Sequence, residues 1–244
     1  MIPDAAPPTA GLHLQPADTI QDVIKTMQAI DLAVPDSDGL KWFNYLYLAV
    51  TQSVQAHADA NTFEEPAWIN RLDIVFANLY FGAVTLTEQM GPHAAARAWR
   101  PFFESRTKTG IARIQFALAG MNAHINRDLV VALLDLDALD GSAPGSSSAR
   151  FRDFTKVNQL LEIVEQEVKP KLLEGTPLEL GGHLAALEDI LAMWSVNNAR
   201  QAAWDHSQAF WHLRNLPALQ KASLDSLDGL TQVAGSGFLL RVLS

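Results

Sequence analysis

A histidine and an aspartate four residues apart, His124 and Asp128, are the side chains of this sequence best placed for chemistry. They lie in an otherwise apolar segment, residues 111–134, which predicts a buried helix. Because residues i and i+4 share one face of a helix, the imidazole and the carboxylate should meet. Such a pair can ligate a divalent metal, carry out general acid-base catalysis, or form a structural hydrogen bond between packed helices.

Polar side chains on two other predicted helices fall on faces that should be buried. Asp73 lies within an apolar stripe, where a carboxylate without a partner would be costly. Arg200 shares a helix face with Trp204 and Trp211. We expect Asp73 and Arg200 to be the neighbours of His124, with a structural ion pair between Asp73 and Arg200 as the alternative.

The residues around the histidine divide between two sides of the helix. A rotation of about 100° per residue puts Gly120 beside His124, where it should leave open space. The same rotation puts Asn122 and Asn126 on the opposite side. We expect these asparagines to bind substrate or to make structural hydrogen bonds to neighbouring helices.

These observations predict a pocket between helices, which suits a hydrophobic small molecule. Its candidate catalytic residues are His124, Asp128, Asp73 and Arg200. Its candidate substrate-binding residues are Tyr47, Tyr80, Asn122, Asn126, Trp204 and Trp211. For the two tryptophans, packing in the core is the alternative. If one divalent metal ion is bound, its predicted ligands are Asp73, His124 and Asp128.

Two classes of function follow from this pocket. The first is an enzyme that uses metal-assisted hydrolysis, or acid-base chemistry such as proton transfer or cyclisation. The second is a non-catalytic helical protein that binds a ligand or a partner, in which the polar residues are structural. No nucleotide cofactor is indicated, because the glycines Gly235 and Gly237 lack the lysine and the spacing of a phosphate-binding loop.

Composition limits the partners of the protein. Its 244 residues include 18 Lys and Arg against 27 Asp and Glu, a formal net charge of −9, so its surface should repel nucleic acid. The absence of cysteine excludes disulfides and thiolate metal sites. No apolar run is long enough for a membrane span and the first residues do not resemble a secretory signal, so we expect a cytoplasmic protein.

Helical periodicity dominates the sequence and predicts an all-α, single-domain bundle of six to eight helices with a buried polar pocket. The predicted helices cover residues 20–30, 40–58, 66–89, 93–103, 109–136, 150–173 and 183–213, with a turn at 174–177.

The predicted domain has an extension at each end. Residues 1–18, rich in proline, form an extended arm, and residues 19–222 form the helical domain. A flexible loop over 140–149 lies inside that domain. The tail, residues 223–244, should dock on the domain or on a second subunit, which makes a homodimer one alternative.

Several motifs resemble a known family. They are Trp42-Phe43-Asn44, Leu72-Asp73 and, most distinctively, Gly120-Met-Asn-Ala-His-Ile-Asn-x-Asp-Leu129. On these residues the sequence resembles the domain-of-unknown-function family number five-nine-nine-five, from about Thr19 to Trp204. The resemblance implies that Asp73, Asn122, His124, Asn126 and Asp128 are the defining polar positions of the family. It implies no particular chemistry.

Overall fold

Helices make up the architecture of this chain in a computed structural model that describes residues 12–174 and 195–241. They are α1 (Ile20–Ala33), α2 (Gly39–Asp59), α3 (Pro66–Met90), α4 (Arg100–Ser105), α5 (Arg113–Ala123), α6 (Leu129–Asp140), α7 (Ala149–Leu173), α8 (Val196–His212) and α9 (Pro217–Phe238). A π-helical turn joins α5 to α6 without a break, so the described residues form eight helical rods and no strand. The predicted all-α fold of six to eight helices is confirmed.

Several helices begin where the sequence supplies a side-chain acceptor for the free N–H groups of the first turn. Thr19, Asp38 and Ser148 cap α1, α2 and α7 through their side-chain oxygens. Helix α3 begins with Pro66, which fits the first turn because its missing N–H would have no intrahelical partner. Asp38 also forms a buried ion pair with Arg106 (2.7 Å), which holds the start of α2 against the end of α4.

Helices α2 and α5 pack through two reciprocal pairs of glycine and phenylalanine. A Cβ on Gly39 would lie 2.3 Å from the Phe116 ring, and a Cβ on Gly120 would lie 2.4 Å from the Phe43 ring. Because both pairs advance by four residues, the two helices run parallel here. The prediction of open space beside Gly120 is wrong, since the Phe43 ring fills it.

The predicted helix over 93–103 is wrong for residues 93–99 and confirmed for 100–103, which lie in α4. Before α4 the chain forms two short 3-10 turns, Pro92–Ala94 and Arg97–Trp99. Pro101 lacks the N–H that a continuous helix would need. Asp228 in α9 stabilises the second turn, because its carboxylate accepts hydrogen bonds from the backbone N–H groups of Arg97 and Ala98, each at 2.9 Å.

The C-terminal segment is a helix rather than a tail beginning at 223, because α9 starts at Pro217. It packs against α5 and the 97–99 turn. Gln115 Nε2 donates to the carbonyl oxygens of Phe238 and Leu240, both at 2.8 Å. Helix α9 therefore docks on the body of the same chain.

The predicted N-terminal arm falls outside the described residues up to residue 11. Residues 12–17 lie along α3, where the Asn78 amide makes two hydrogen bonds to the backbone of Ala17 (2.7 and 2.9 Å). At the end of α6, where the predicted loop begins, Asp140 accepts hydrogen bonds from Arg71 and Arg150, each at 2.7 Å. The predicted turn at 174–177 and the first part of the helix predicted over 183–213 fall largely outside the described residues. No helix in the described part of the chain combines the length and the apolar character needed to cross a membrane.

Candidate active site

The residues His124–Asp128 form the π-helical turn between α5 and α6. Its signature is the backbone N–H of Leu129, which donates to the carbonyl of His124 five residues earlier. Single π-turns inside α-helices occur frequently at functional sites. The sequence predicted a regular helix here, because periodicity does not reveal a change of one residue in the hydrogen-bond register.

Within this turn, His124 and Asp128 form the predicted pair. Nδ1 of His124 lies 3.1 Å from Oδ2 of Asp128, and both side chains are at most 1% exposed. The carboxylate also accepts hydrogen bonds from Trp99 Nε1 (2.8 Å, to Oδ2) and from Arg127 Nη1 (2.7 Å, to Oδ1). Because Asp128 acts as an acceptor towards all three, the hydrogen of a neutral His124 belongs on Nδ1. Nε2 then carries the free electron pair.

Aromatic rings surround the imidazole. Phe76 stacks on it with ring centroids 3.5 Å apart and planes 6° apart, and the Tyr47 ring lies 4.5 Å away. The rings of Phe43 and Trp99 lie at 5.7 and 6.0 Å. Burial among these rings lowers the pKa of His124, while the hydrogen bond to Asp128 opposes the change. The neutral form of His124 is therefore favoured.

His124 forms part of the wall of a small cavity between α2, α3, the π-turn, α7 and α8, which we call the dyad cavity. The volume open to the centre of a water molecule is about 30 Å³, room for about two waters. Its polar lining residues are Tyr47, Thr51, Asp73, His124 and Arg200. The remaining lining is aliphatic except for the Phe76 ring. His124 Nε2 and Asp73 Oδ2 are both buried without a hydrogen-bond partner in the described chain.

Asp73 lies on α3, on the wall of the dyad cavity. Burial raises the pKa of its carboxyl to about 7, although the positive charge of Arg200 acts in the opposite direction. Near neutral pH, both the protonated and the ionised forms of Asp73 are therefore populated. A carboxyl in this condition can either give or take a proton.

Arg200 enters the cavity from α8 and is held by α7. Its Nε donates to Asn158 Oδ1 (2.7 Å), its Nη2 donates to the carbonyl of Phe154 (2.9 Å), and its guanidinium lies 4.2 Å from the centre of the Phe154 ring. Burial lowers the pKa of Arg200 to about 10, against the effects of Asp73 and Tyr47, so the group stays charged at neutral pH. Asp73 and Arg200 form no ion pair, and Nη1 makes no hydrogen bond to residues 12–174 or 195–241.

Tyr47 completes the polar lining from α2. Burial raises the pKa of its hydroxyl well above the usual value, and the charges of Asp73 and Asp128 act in the same direction. Tyr47 therefore stays protonated and can donate a hydrogen bond.

The donor geometry does not fit the predicted metal site of Asp73, His124 and Asp128. Nδ1 of His124 faces the Asp128 carboxylate, and both oxygens of that carboxylate accept N–H groups. Across residues 12–174 and 195–241, no group of three or more His, Asp or Glu side chains is arranged to hold a metal ion. The arrangement instead resembles an acid-base dyad, in which a carboxylate orients a neutral imidazole.

Two predicted substrate-binding residues, Asn122 and Asn126, lie away from the cavity. Asn122 Nδ2 donates to the carbonyl of Thr231 in α9 (2.9 Å), and Asn126 Nδ2 donates to Asn122 Oδ1 (3.0 Å). They face the docked C-terminal helix, on the side of the rod away from the dyad. These contacts are structural hydrogen bonds, which the sequence analysis gave as the alternative to substrate binding.

The remaining aromatic candidates do not line the dyad cavity either. Trp204 is buried against the rings of Phe151 and Phe154, each at 5.0 Å, and Trp211 lies beneath the guanidinium of Arg214 at 4.7 Å. The Tyr80 hydroxyl donates to Asn44 Oδ1 (3.3 Å) in the core. Tyr80 reaches the site only as part of the aromatic wall, 6.1 Å from the His124 ring.

Sequence reasoning missed three residues that position the dyad: Phe76, Trp99 and Arg127. Arg127 precedes Asp128 directly, so its charge could have suggested the contact. Trp99 lies 29 residues before Asp128 and approaches through a non-helical turn. No sequence pattern indicates that approach.

Comparison with known proteins identifies the family to which the chain belongs. Neither the curated proteins nor the solved structures gave a match. The family model described as "Family of unknown function (DUF5995)" matches residues 20–240, almost the whole chain. The helical bundle and the His124–Asp128 pair described above both lie inside that range, and the protein belongs to the DUF5995 family.

Proposed function

We propose that this protein is an acid-base enzyme that moves a proton on a small hydrophobic carbonyl compound bound in the dyad cavity. One observation carries the proposal: Nε2 of His124 and Oδ2 of Asp73 are buried in the wall of one cavity, and neither has a hydrogen-bond partner among residues 12–174 and 195–241. Buried polar atoms are normally satisfied, so two such atoms in one cavity suggest that a ligand satisfies them.

His124 is the base in this proposal. Asp128 holds Nδ1–H, so Nε2 is free to take a proton from the carbon next to the carbonyl group. The positive charge that forms on the imidazole is stabilised by the Asp128 carboxylate. The electron pair of the broken C–H bond moves towards the carbonyl oxygen.

Asp73 and Arg200 act on the carbonyl oxygen. The protonated form of Asp73 gives its proton to that oxygen as negative charge develops, and the guanidinium of Arg200 stabilises the same charge. The substrate is then a neutral enol, while His124 carries one extra proton and Asp73 has lost one. His124 returns a proton to carbon and Asp73 takes back the proton of the enol oxygen, which restores both groups. If solvent deuterium replaces the proton on His124 before its return, the product is exchanged, and return to another carbon of a conjugated enol gives isomerisation.

The surroundings of these groups support a hydrophobic substrate. Apart from its five polar lining residues, the cavity is walled by hydrophobic side chains such as Val54, Ile69 and Leu129. A water-poor environment strengthens each electrostatic interaction with the reacting group. We continue to expect a cytoplasmic protein that does not bind nucleic acid.

The test is the exchange of α-protons of small methyl ketones into D₂O, followed by proton NMR. The wild type should accelerate exchange, and His124→Gln should reduce the rate at least about a hundredfold because the base is lost. His57→Gln is the matched control, since His57 also lies on a helix but is outside the cavity and bonds the Ser53 carbonyl.

Two outcomes would contradict the proposal. Equal rates for the wild type and His124→Gln would remove His124 as the base. Binding of the ketones that shifts the imidazole resonances of His124, with no exchange above background, would indicate the non-catalytic ligand-binding protein.

A further inference from the structure

A second cavity lies beside the dyad cavity, between α2, α5, α7 and α8. Its volume open to the centre of a water molecule is also about 30 Å³. The side chains that line it alone are mainly aliphatic: Leu46, Ile114, Leu118, Val168, Leu172 and Val196. We call it the aliphatic cavity.

The two cavities share three lining residues, Val50, Met121 and Leu161. The partition between them is therefore made of aliphatic side chains. Met121 is unbranched and adapts its shape more easily than a β-branched residue. A shift of this side chain is the simplest way for a ligand to occupy both cavities.

The aliphatic cavity has a polar outer edge. Glu165 is exposed and Lys169 is half-buried, both on α7, while Val196 is half-buried at the first turn of α8. The other polar lining residues lie in the dyad cavity, and the lining between them and this edge is aliphatic. The space is therefore polar at the dyad, apolar through the aliphatic cavity and polar again where it approaches the surface.

We infer that the substrate is an amphiphile, with a carbonyl head at His124 and an unbranched aliphatic tail in the aliphatic cavity. The inference rests on the proposed function for the position of the head. Each methylene of the tail that is buried among apolar side chains should increase the affinity of the ligand about fourfold. The small volume of the cavity favours a single chain over a ring.

The inference is tested with methyl ketones whose tails lengthen from ethyl to nonyl, by measuring Kd and the rate of α-proton exchange. In the wild type, affinity should rise about fourfold per methylene until the tail reaches Glu165 and Lys169, and then level off. Val196→Trp should end this rise at a shorter tail, and the loss of affinity relative to the wild type should grow with tail length.

Two further variants test whether the effect of Val196→Trp comes from a narrower aliphatic cavity. Leu118→Phe narrows the same cavity from α5 and should shorten the rise if Val196→Trp does not fold. Ile163→Trp is the matched control, because Ile163 is exposed on α7 and lines neither cavity. Its length dependence should equal that of the wild type.

The outcomes separate the two proposals. Exchange of the ethyl ketone with no dependence on tail length would overturn the tail inference and leave the proposed function standing. Affinity that rises with tail length, without exchange, would overturn the proposed function and support the tail site. A rise that Val196→Trp and Leu118→Phe both leave unchanged would place the tail elsewhere and overturn the inference.

Discussion

The indole Nε1 of Trp99 donates a 2.8 Å hydrogen bond to Oδ2 of Asp128, the oxygen that also lies 3.1 Å from His124 Nδ1. Trp99 ends the 3-10 turn whose N–H groups are held by Asp228 of α9. Arg127, which donates to the other oxygen of Asp128, also lies 3.9 Å from Asp228. The docked C-terminal helix is therefore connected to the dyad by two routes.

Removing the indole N–H donor of Trp99 should raise the pKa of His124. In Trp99→Phe, Asp128 Oδ2 loses one of its two N–H neighbours, so its interaction with His124 should strengthen and raise the pKa of His124. The smaller ring should also cost about 1–3 kcal/mol of unfolding free energy. NMR titration of the imidazole and chemical denaturation measure the two effects.

The control for this change is Trp42→Phe. Trp42 is equally buried, but its Nε1 donates to the carbonyl of Asp36, away from the dyad. This variant should lose comparable stability without moving the pKa of His124. An equal pKa change in both variants would show that the indole of Trp99 does not tune the histidine.

Asp128→Asn should disturb the orientation of His124 without unfolding the protein. The amide keeps the size of the carboxylate but places an N–H₂ group where an acceptor is needed, so His124 should adopt the other tautomer or lose its position. We expect α-proton exchange to fall on the order of a hundredfold or more. Circular dichroism should still show a helical protein, and an unchanged exchange rate would remove Asp128 from the mechanism.

Asp73→Asn should alter how stability depends on pH. The pKa of Asp73 is about 7 in the folded protein and 3.8 in its ordinary state, so between these pH values the folded protein keeps a proton that the unfolded chain has lost. Stability from this group is therefore complete below about pH 4 and is lost as pH rises to about 7. Relative to the wild type, the variant should gain on the order of 2 kcal/mol between about pH 5 and about pH 8.

Asp18→Asn supplies the control, since Asp18 is exposed and lies outside the dyad cavity. The exchange rate gives a second measurement on Asp73→Asn. Wild-type activity should fall as pH rises through about 7, because Asp73 loses the proton it must donate. That decline should disappear in the variant, whose overall rate is lower.

Gly120→Ala should disturb the contact between α2 and α5. The new methyl group would lie 2.4 Å from the Phe43 ring, so the helices must separate, at a cost of about 1–3 kcal/mol. Gly82→Ala is the matched helical control, with no atom within 4 Å of the added methyl. It should instead stabilise the protein by about 0.5–1 kcal/mol in thermal or chemical denaturation. Equal effects would show that the close packing at Gly120 is unimportant.

Asn122→Ala should loosen α9. The carbonyl of Thr231 loses its buried donor, and the expected cost is about 1–2 kcal/mol. Hydrogen exchange should accelerate mainly in residues 217–238. Asn126→Ala should have a smaller effect there, because Asn126 reaches α9 only through Asn122.

Along the rod formed by α5, the π-turn and α6, some features could be predicted from the sequence and others could not. The periodicity of its apolar residues was sufficient to predict the helix and the meeting of His124 with Asp128, since both are local properties of the backbone. A rotation of about 100° per residue also places Asn122 away from the dyad. The packing at Gly120 cannot be predicted in this way, because the Phe43 ring that fills the space comes from another helix.

By itself, the sequence determined the all-α class, the extent of most helices and the family of this protein, because periodicity, caps and motifs act over a few residues. It also indicated Asp73 and Arg200 as neighbours of the dyad, since polar groups on apolar helix faces are costly to bury alone. Tertiary structure alone decided that Trp99 and Arg127 occupy the Asp128 carboxylate and that Asp73 and Arg200 share a cavity without pairing. These relationships depend on side chains brought together from distant parts of the chain, so no local pattern records them.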